Sequence, residues 1–101
     1  MKPIDISEIH DRMRYSTKSS TLIAGDDYWD GHNFERSGRQ TFLYQSILGG
    51  SYFAVHLTQW TGERDHIEPL SQDEAATLYE SLPERRLSFE EAFPGVQLVE
   101  A

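Results

Sequence analysis

Hydrophobic and polar positions form their clearest pattern between Thr41 and Thr58. The arms Thr41-Phe42-Leu43-Tyr44-Gln45-Ser46-Ile47 and Tyr52-Phe53-Ala54-Val55-His56-Leu57-Thr58 are rich in aromatic and β-branched residues, with Gly49-Gly50 between them. This is a β-hairpin pattern, because glycine readily takes the positive φ of a tight turn. With the turn centred on the two glycines, Phe42 faces Leu57, Tyr44 faces Val55 and Ser46 faces Phe53. Side chains alternate along a strand, so Phe42, Tyr44, Phe53, Val55 and Leu57 share one strongly apolar face. Leu43, Gln45, Ile47, Tyr52, Ala54 and His56 make the other face, which is more mixed.

The same reading places a first strand at Ser20-Thr21-Leu22-Ile23-Ala24, ended by the turn signal Gly25-Asp26-Asp27. Ile67-Glu68-Pro69-Leu70 is a short extended piece, an edge strand where proline is tolerated. Ser71-Gln72-Asp73-Glu74 is a capping box. Ala75, Leu78, Tyr79 and Leu82 follow it with helical spacing, and Pro83 stops the helix. Ser88-Phe89-Glu90-Glu91 repeats the device for a second, shorter helix closed by Pro94-Gly95. Near the N-terminus, Ser7 is placed to cap a short helix through Arg14, with Ile9 and Met13 on one side. A docked arm is the other reading of residues 1–14. The sum is one α+β domain over residues 1–101. Its antiparallel sheet has three to four strands built on a central hairpin. One or two C-terminal helices pack on the Phe42 face, giving two layers.

At 101 residues the chain is one domain's worth of core. It has no cysteine, which removes disulfides, thiolate metal sites and cysteine nucleophiles and fits a reducing compartment. No apolar run is long enough to span a bilayer and the N-terminus lacks a signal-peptide core, so a cytoplasmic protein is expected. The formal net charge is −8, and most of the excess acid lies beyond residue 20. No basic stripe suited to a phosphate backbone is present, so direct nucleic-acid binding is not expected. An acidic surface is suited instead to a basic protein partner, including one that itself binds nucleic acid.

Several short stretches carry a resemblance. Arg14-Tyr15-Ser16-Thr17 with Thr21-Leu22-Ile23-Ala24 opens it, followed by Thr41-Phe42-Leu43-Tyr44 and Gly50-Ser51-Tyr52-Phe53. Ile67-Glu68-Pro69-Leu70-Ser71 with Glu74-Ala75 completes it. Across roughly residues 14–93 the chain resembles a family of short, uncharacterised bacterial proteins found on mobile elements and phage. The matching residues are strand and cap positions, so the resemblance implies a fold and no catalytic residue. It implies an accessory protein or an anti-CRISPR-like inhibitor.

The candidate chemistry is sparse. Asp26, Asp27, Asp30 and His32 are crowded, but as a calcium loop the spacing puts Tyr28 at the third position and Ser37 at the twelfth, where a Glu is needed. A zinc site needs His56 or His66 to join them. An Asp- and Gly-built turn is the simpler reading, so no metal and no cofactor are expected. Ser46 or Ser51 with His56 and Asp65 can be written as a hydrolytic set, yet strand spacing does not bring them together, and the enzyme motifs are missing. The expectation is a non-enzymatic binding protein; the alternatives are a homodimeric accessory or regulatory protein and, less favoured, a metal-assisted hydrolase using the Asp26–His32 cluster. The candidate partner-binding residues are Tyr28, Trp29, His32, Phe34 and Arg36 in one loop, and Trp60, Arg64 and His66 in another. Trp, Tyr and Arg anchor interfaces because they bury large area while keeping a polar handle. The alternative is that the tryptophans complete the core. The mixed hairpin face, with Leu43, Ile47, Tyr52 and Ala54, is a second candidate surface, for homodimerisation, unless the N-terminal arm covers it.

Overall fold

A computed structural model describes residues 5–25, 39–58 and 61–99. The first elements are strands β1 (Ser7–His10) and β2 (Met13–Ser16), then a 3-10 turn at Thr17–Ser19. Strands β3 (Ser20–Gly25), β4 (Arg39–Ser46), β5 (Tyr52–Thr58) and β6 (His66–Leu70) follow. Helix α1 (Gln72–Ser81), strand β7 (Glu84–Arg85) and helix α2 (Phe89–Ala92) complete the order. Among the described residues, five strands form one sheet in the order β6-β5-β4-β3-β7, and every pairing in it is antiparallel. β1 and β2 make a separate two-stranded antiparallel ribbon. The fold is α+β as expected, but the sheet has five strands rather than three to four.

The central hairpin forms with a different register. Phe42 faces Val55, Tyr44 faces Phe53 and Gln45 faces Tyr52, a slip of two residues from the pairing predicted around Gly49-Gly50. The connection is the four-residue stretch 47–50, closed by Ser46 N–H on the Ser51 carbonyl at 2.8 Å and Gly50 N–H on the Ser46 carbonyl at 3.0 Å. Gly50 takes φ +71°, the left-handed conformation only glycine adopts freely. A two-residue slip keeps every side chain on its original face, whereas a one-residue slip inverts them all. It also stacks Tyr44 on Phe53 with ring centroids 5.5 Å apart.

The layering is the larger correction. The helices do not cover the Phe42 face. They pack on the opposite one, where Ile23, Ala24, Leu43 and Tyr52 meet Ala75, Tyr79, Leu82, Ala92 and Phe93. The Phe42 face, with Tyr44, Phe53, Val55 and Ile67, is closed by Tyr15 of the ribbon, and Ile6 packs at its margin. The sheet therefore lies between two unlike covers, and there are three layers. Helical stripes need not seek the more apolar face. α1 and α2 bring their own bulk (Tyr79, Leu82, Phe93) to a face of smaller side chains. Both helix starts carry the full capping box: Ser71 Oγ accepts from Glu74 N–H at 3.1 Å, and Ser88 Oγ accepts from Glu91 N–H at 3.2 Å.

The N-terminal helix is not formed. Residues 7–16 make the β1–β2 ribbon, with Glu8 facing Tyr15 and Ile9 facing Arg14. A helix that short is marginal in water. The ribbon instead buries Tyr15 against Phe53, edge to face at 5.5 Å. Its turn holds Asp11 at φ +52° and Arg12 at φ +65°, both strained for residues with a Cβ.

Candidate interaction site

Because the sheet is antiparallel, Gly25, Arg39, Thr58 and His66 all stand at one end of it. The segments 26–38 and 59–65 therefore leave from the same end. Of the eight residues predicted to bind a partner, Arg64 and His66 are placed there. Tyr28, Trp29, His32, Phe34, Arg36 and Trp60 lie outside the described residues, as does the Asp26–His32 cluster. Ser46 and Ser51 flank the turn at the far end of the sheet from Asp65, so the hydrolytic set is not assembled.

The described part of the second loop is tied down by its own acids. Asp65 Oδ1 accepts from Thr58 N–H at 2.9 Å, and Glu63 Oε1 accepts from the Thr58 hydroxyl at 2.6 Å. Gly62, at φ +91°, turns the chain between them. Arg64 and His66 are both exposed.

On the helix side of this end, beyond the reach of α1 and α2, β4, β5 and β6 present a polar row that spacing alone did not reveal. His66 stacks on His56 across the β5–β6 ladder, centroids 4.7 Å apart. His56 Nε2 donates to Glu68 Oε1 at 2.9 Å, and Thr41 Oγ1 lies 3.5 Å from its Nδ1. The correct register is the signal that finds this set, since it puts Thr41 opposite His56 and His56 opposite His66.

The ribbon reaches the same corner. Glu8 Oε1 accepts from Ile67 N–H of β6 at 3.0 Å and from His10 Nε2 at 2.9 Å. Burial pushes this carboxyl up, but the Ile67 and His10 hydrogen bonds, with the charges of His10 and His66, more than offset that and leave it below the ordinary glutamate value. Among the described residues no group of three or more His, Asp or Glu side chains is arranged to hold a metal ion. No described helix is long and apolar enough to cross a membrane.

The mixed hairpin face is not an open homodimer surface. Leu43, Tyr52 and Ala54 are buried, and the helices cover it. The exposed apolar side chains of the hairpin are Ile47 and Leu48, in its turn.

The fold and this corner together define a small α+β domain whose sheet is covered on both faces and whose two intervening segments leave at one end. No family model, curated protein or solved structure matches the chain.

Proposed function

We propose that this chain is a small acidic, non-enzymatic binding protein that docks on a partner protein through the loop end of its sheet. The observation that carries the reading is one of elimination. Both faces of the sheet are covered, β7 at one margin is two residues long, and β6 at the other is engaged by Glu8. This leaves the sheet ends as the open parts of the sheet itself, which supports a docking surface there. One of them carries the 26–38 and 59–65 segments, with the Arg64, His66 and His56 surface beside them. Loops held by a rigid sheet are where binding surfaces concentrate.

The mechanism is occlusion. The segments supply aromatic and arginine anchors (Tyr28, Trp29, His32, Phe34, Arg36, Trp60, Arg64), with His66 of β6 beside them, and the net charge of −8 favours a basic surface, such as that of a nucleic-acid-binding protein. A phage- or mobile-element-type inhibitor of a host nucleic-acid-binding system, of the anti-CRISPR kind, is the role these properties suit. The test is capture of partners from a bacterial lysate by the tagged chain, by Arg64→Glu and by Trp29→Ala, each with its melting temperature. Capture that weakens with salt and is lost in both variants at unchanged melting temperature supports the reading. Capture that survives both, or falls only as stability falls, overturns it.

A further inference from the structure

β6 is the last strand on its side of the sheet, and among the described residues none pairs with its outer margin. In an antiparallel ladder alternate residues turn their N–H and C=O groups outward. Ile67 N–H goes to Glu8 Oε1 rather than to β5, so Ile67 and Pro69 form the outward set. Proline has no N–H to offer. Within His66–Leu70 the outward peptide donor is therefore that of Ile67, and a carboxylate 59 positions away in sequence holds it. β1 runs beside β6 without pairing to it, so the hydrogen bond that closes the edge comes from the Glu8 side chain.

Without Glu8 the edge is complementary to itself. Two β6 strands laid antiparallel about Ile67 bring the two Ile67 residues opposite each other, where they exchange both N–H···O bonds. In that register His66 faces Glu68 of the partner subunit, and Glu68 faces the partner subunit's His66. An imidazole N–H facing a carboxylate directly across a ladder can donate to it, and such polar cross-strand pairs favour the register. Pro69 falls opposite Asp65 of the partner subunit, so its missing donor removes one bond on each side. We infer that β6 is a latent homodimer seam, that its occupant is the β6 of a second copy of this chain, and that Glu8 keeps it shut. Edge strands are commonly guarded by charge and by proline, and here both devices act on one strand, the proline from within it and the carboxylate from β1. The inference shares Glu8 and His66 with the docking reading, but it needs no other protein, and its test reads self-association rather than partner capture.

The experiment is size-exclusion chromatography with light scattering over a concentration series up to about 1 mM, the scale of a weak association. The unaltered chain is expected to remain monomeric, and Glu8→Ala to shift toward dimer as concentration rises. Adding His66→Glu to Glu8→Ala places glutamates opposite each other and is expected to return the monomer. A monomeric Glu8→Ala at every concentration overturns the inference, as does a dimeric unaltered chain or a dimer indifferent to His66→Glu. Should Glu8→Ala fail to fold, Glu8→Leu keeps the side chain's bulk without an acceptor for Ile67 N–H. A larger dimer fraction in that variant supports the seam, and a purely monomeric one overturns it.

Discussion

The two covers of the sheet are built on different principles. On the helix side, Tyr52 stacks on Phe93 with centroids 5.0 Å apart, and Tyr79 meets both Phe89 and Phe93 edge to face. The tyrosine hydroxyls are satisfied by peptide carbonyls: Tyr52 donates to Ala92 at 2.6 Å and Tyr79 to Leu87 at 2.8 Å. On the ribbon side, one ring, Tyr15, closes the Phe53–Tyr44 stack. Beyond it the ribbon is held by Glu8 on Ile67 and by the packing of Ile6, while Thr17 Oγ1, accepting from Ile6 N–H at 3.2 Å, ties the ribbon's two ends to each other. An interdigitated aromatic layer unfolds with the whole domain. A strap held by few contacts has its own, lower opening free energy. The helix layer therefore carries the domain's stability, and the ribbon is a separable cover.

The sharpest way to break that comparison is to truncate one ring on each side. Phe93 is fully buried at 0% exposure, and removing it leaves a cavity among Tyr52, Tyr79 and Phe89. Phe93→Ala is expected to cost about 3–5 kcal/mol in a urea melt, a large part of a small domain's stability. Tyr15→Ala is expected to cost less, about 2–3 kcal/mol, because the strap can open and its site collapse. Hydrogen exchange separates the two. Tyr15→Ala should speed exchange in β1 and β2 while sparing α1, and Phe93→Ala should speed it everywhere. Equal, global effects from both would show that ribbon and helices unfold as one unit.

How far the sequence disclosed these two sides follows from how local each signal is. The capping boxes at Ser71 and Ser88, and the hairpin arms, declare themselves within a few residues, and they form where predicted. The side that each cover takes depends on contacts far apart in sequence. One local clue did bear on it. Phe42, Leu43 and Tyr44 are all buried, as are Tyr52, Phe53, Ala54 and Val55. Such unbroken apolar runs belong to strands covered on both faces, not to one half-exposed sheet. The ribbon hid because Ile9 and Met13, four apart, mimic a helical face, and because Asp11-Arg12 lacks the glycine that marks such a turn. Of the candidate corner, Arg64 and His66 are picked out by residue type, and the fold places both at that end of the sheet. His56 with Glu68 required the register, and Glu8 on Ile67 had no sequence signal at all.

A subtler probe of the helix side is Tyr52→Phe. It removes one hydroxyl and leaves the Ala92 carbonyl without that donor, while the ring stack on Phe93 is kept. The expected loss is about 1–2 kcal/mol, read as a lower urea midpoint at unchanged slope. On the ribbon side, the strained turn offers a change of opposite sign. Arg12 is exposed and sits at φ +65°, so Arg12→Gly relieves the Cβ clash. It is expected to stabilise the ribbon by roughly 0.5–1 kcal/mol, and this should appear as slower exchange confined to β1 and β2.

Acid gives the smallest effect and the finest comparison, because each cover is pinned by carboxylates held below their ordinary value. Glu74 is lowered by the Ser71 backbone N–H and then its hydroxyl, Glu91 likewise by Ser88, and Glu8 by Ile67 and His10 against the opposing effect of burial. A carboxylate whose folded-state pKa is depressed stabilises the fold fully above its unfolded value. That contribution is lost as pH falls through the folded one. Both covers should therefore loosen only on the acid side of the ordinary glutamate range, and neither near neutrality. The amides that report each event are distinct: Ile67 for the strap, Ser71 and Ser88 for the helix starts. Following their chemical shifts in an acid titration should give each a midpoint below that of an unperturbed glutamate. Loss of the Ile67 bond should be followed by faster exchange in β1 and β2, whereas loss of the Ser71 or Ser88 bond should fray only the first turn of its helix. An Ile67 amide that does not titrate would mean that Glu8 does not hold the edge in solution. The strap would then have to be fastened by the packing of Tyr15 and Ile6.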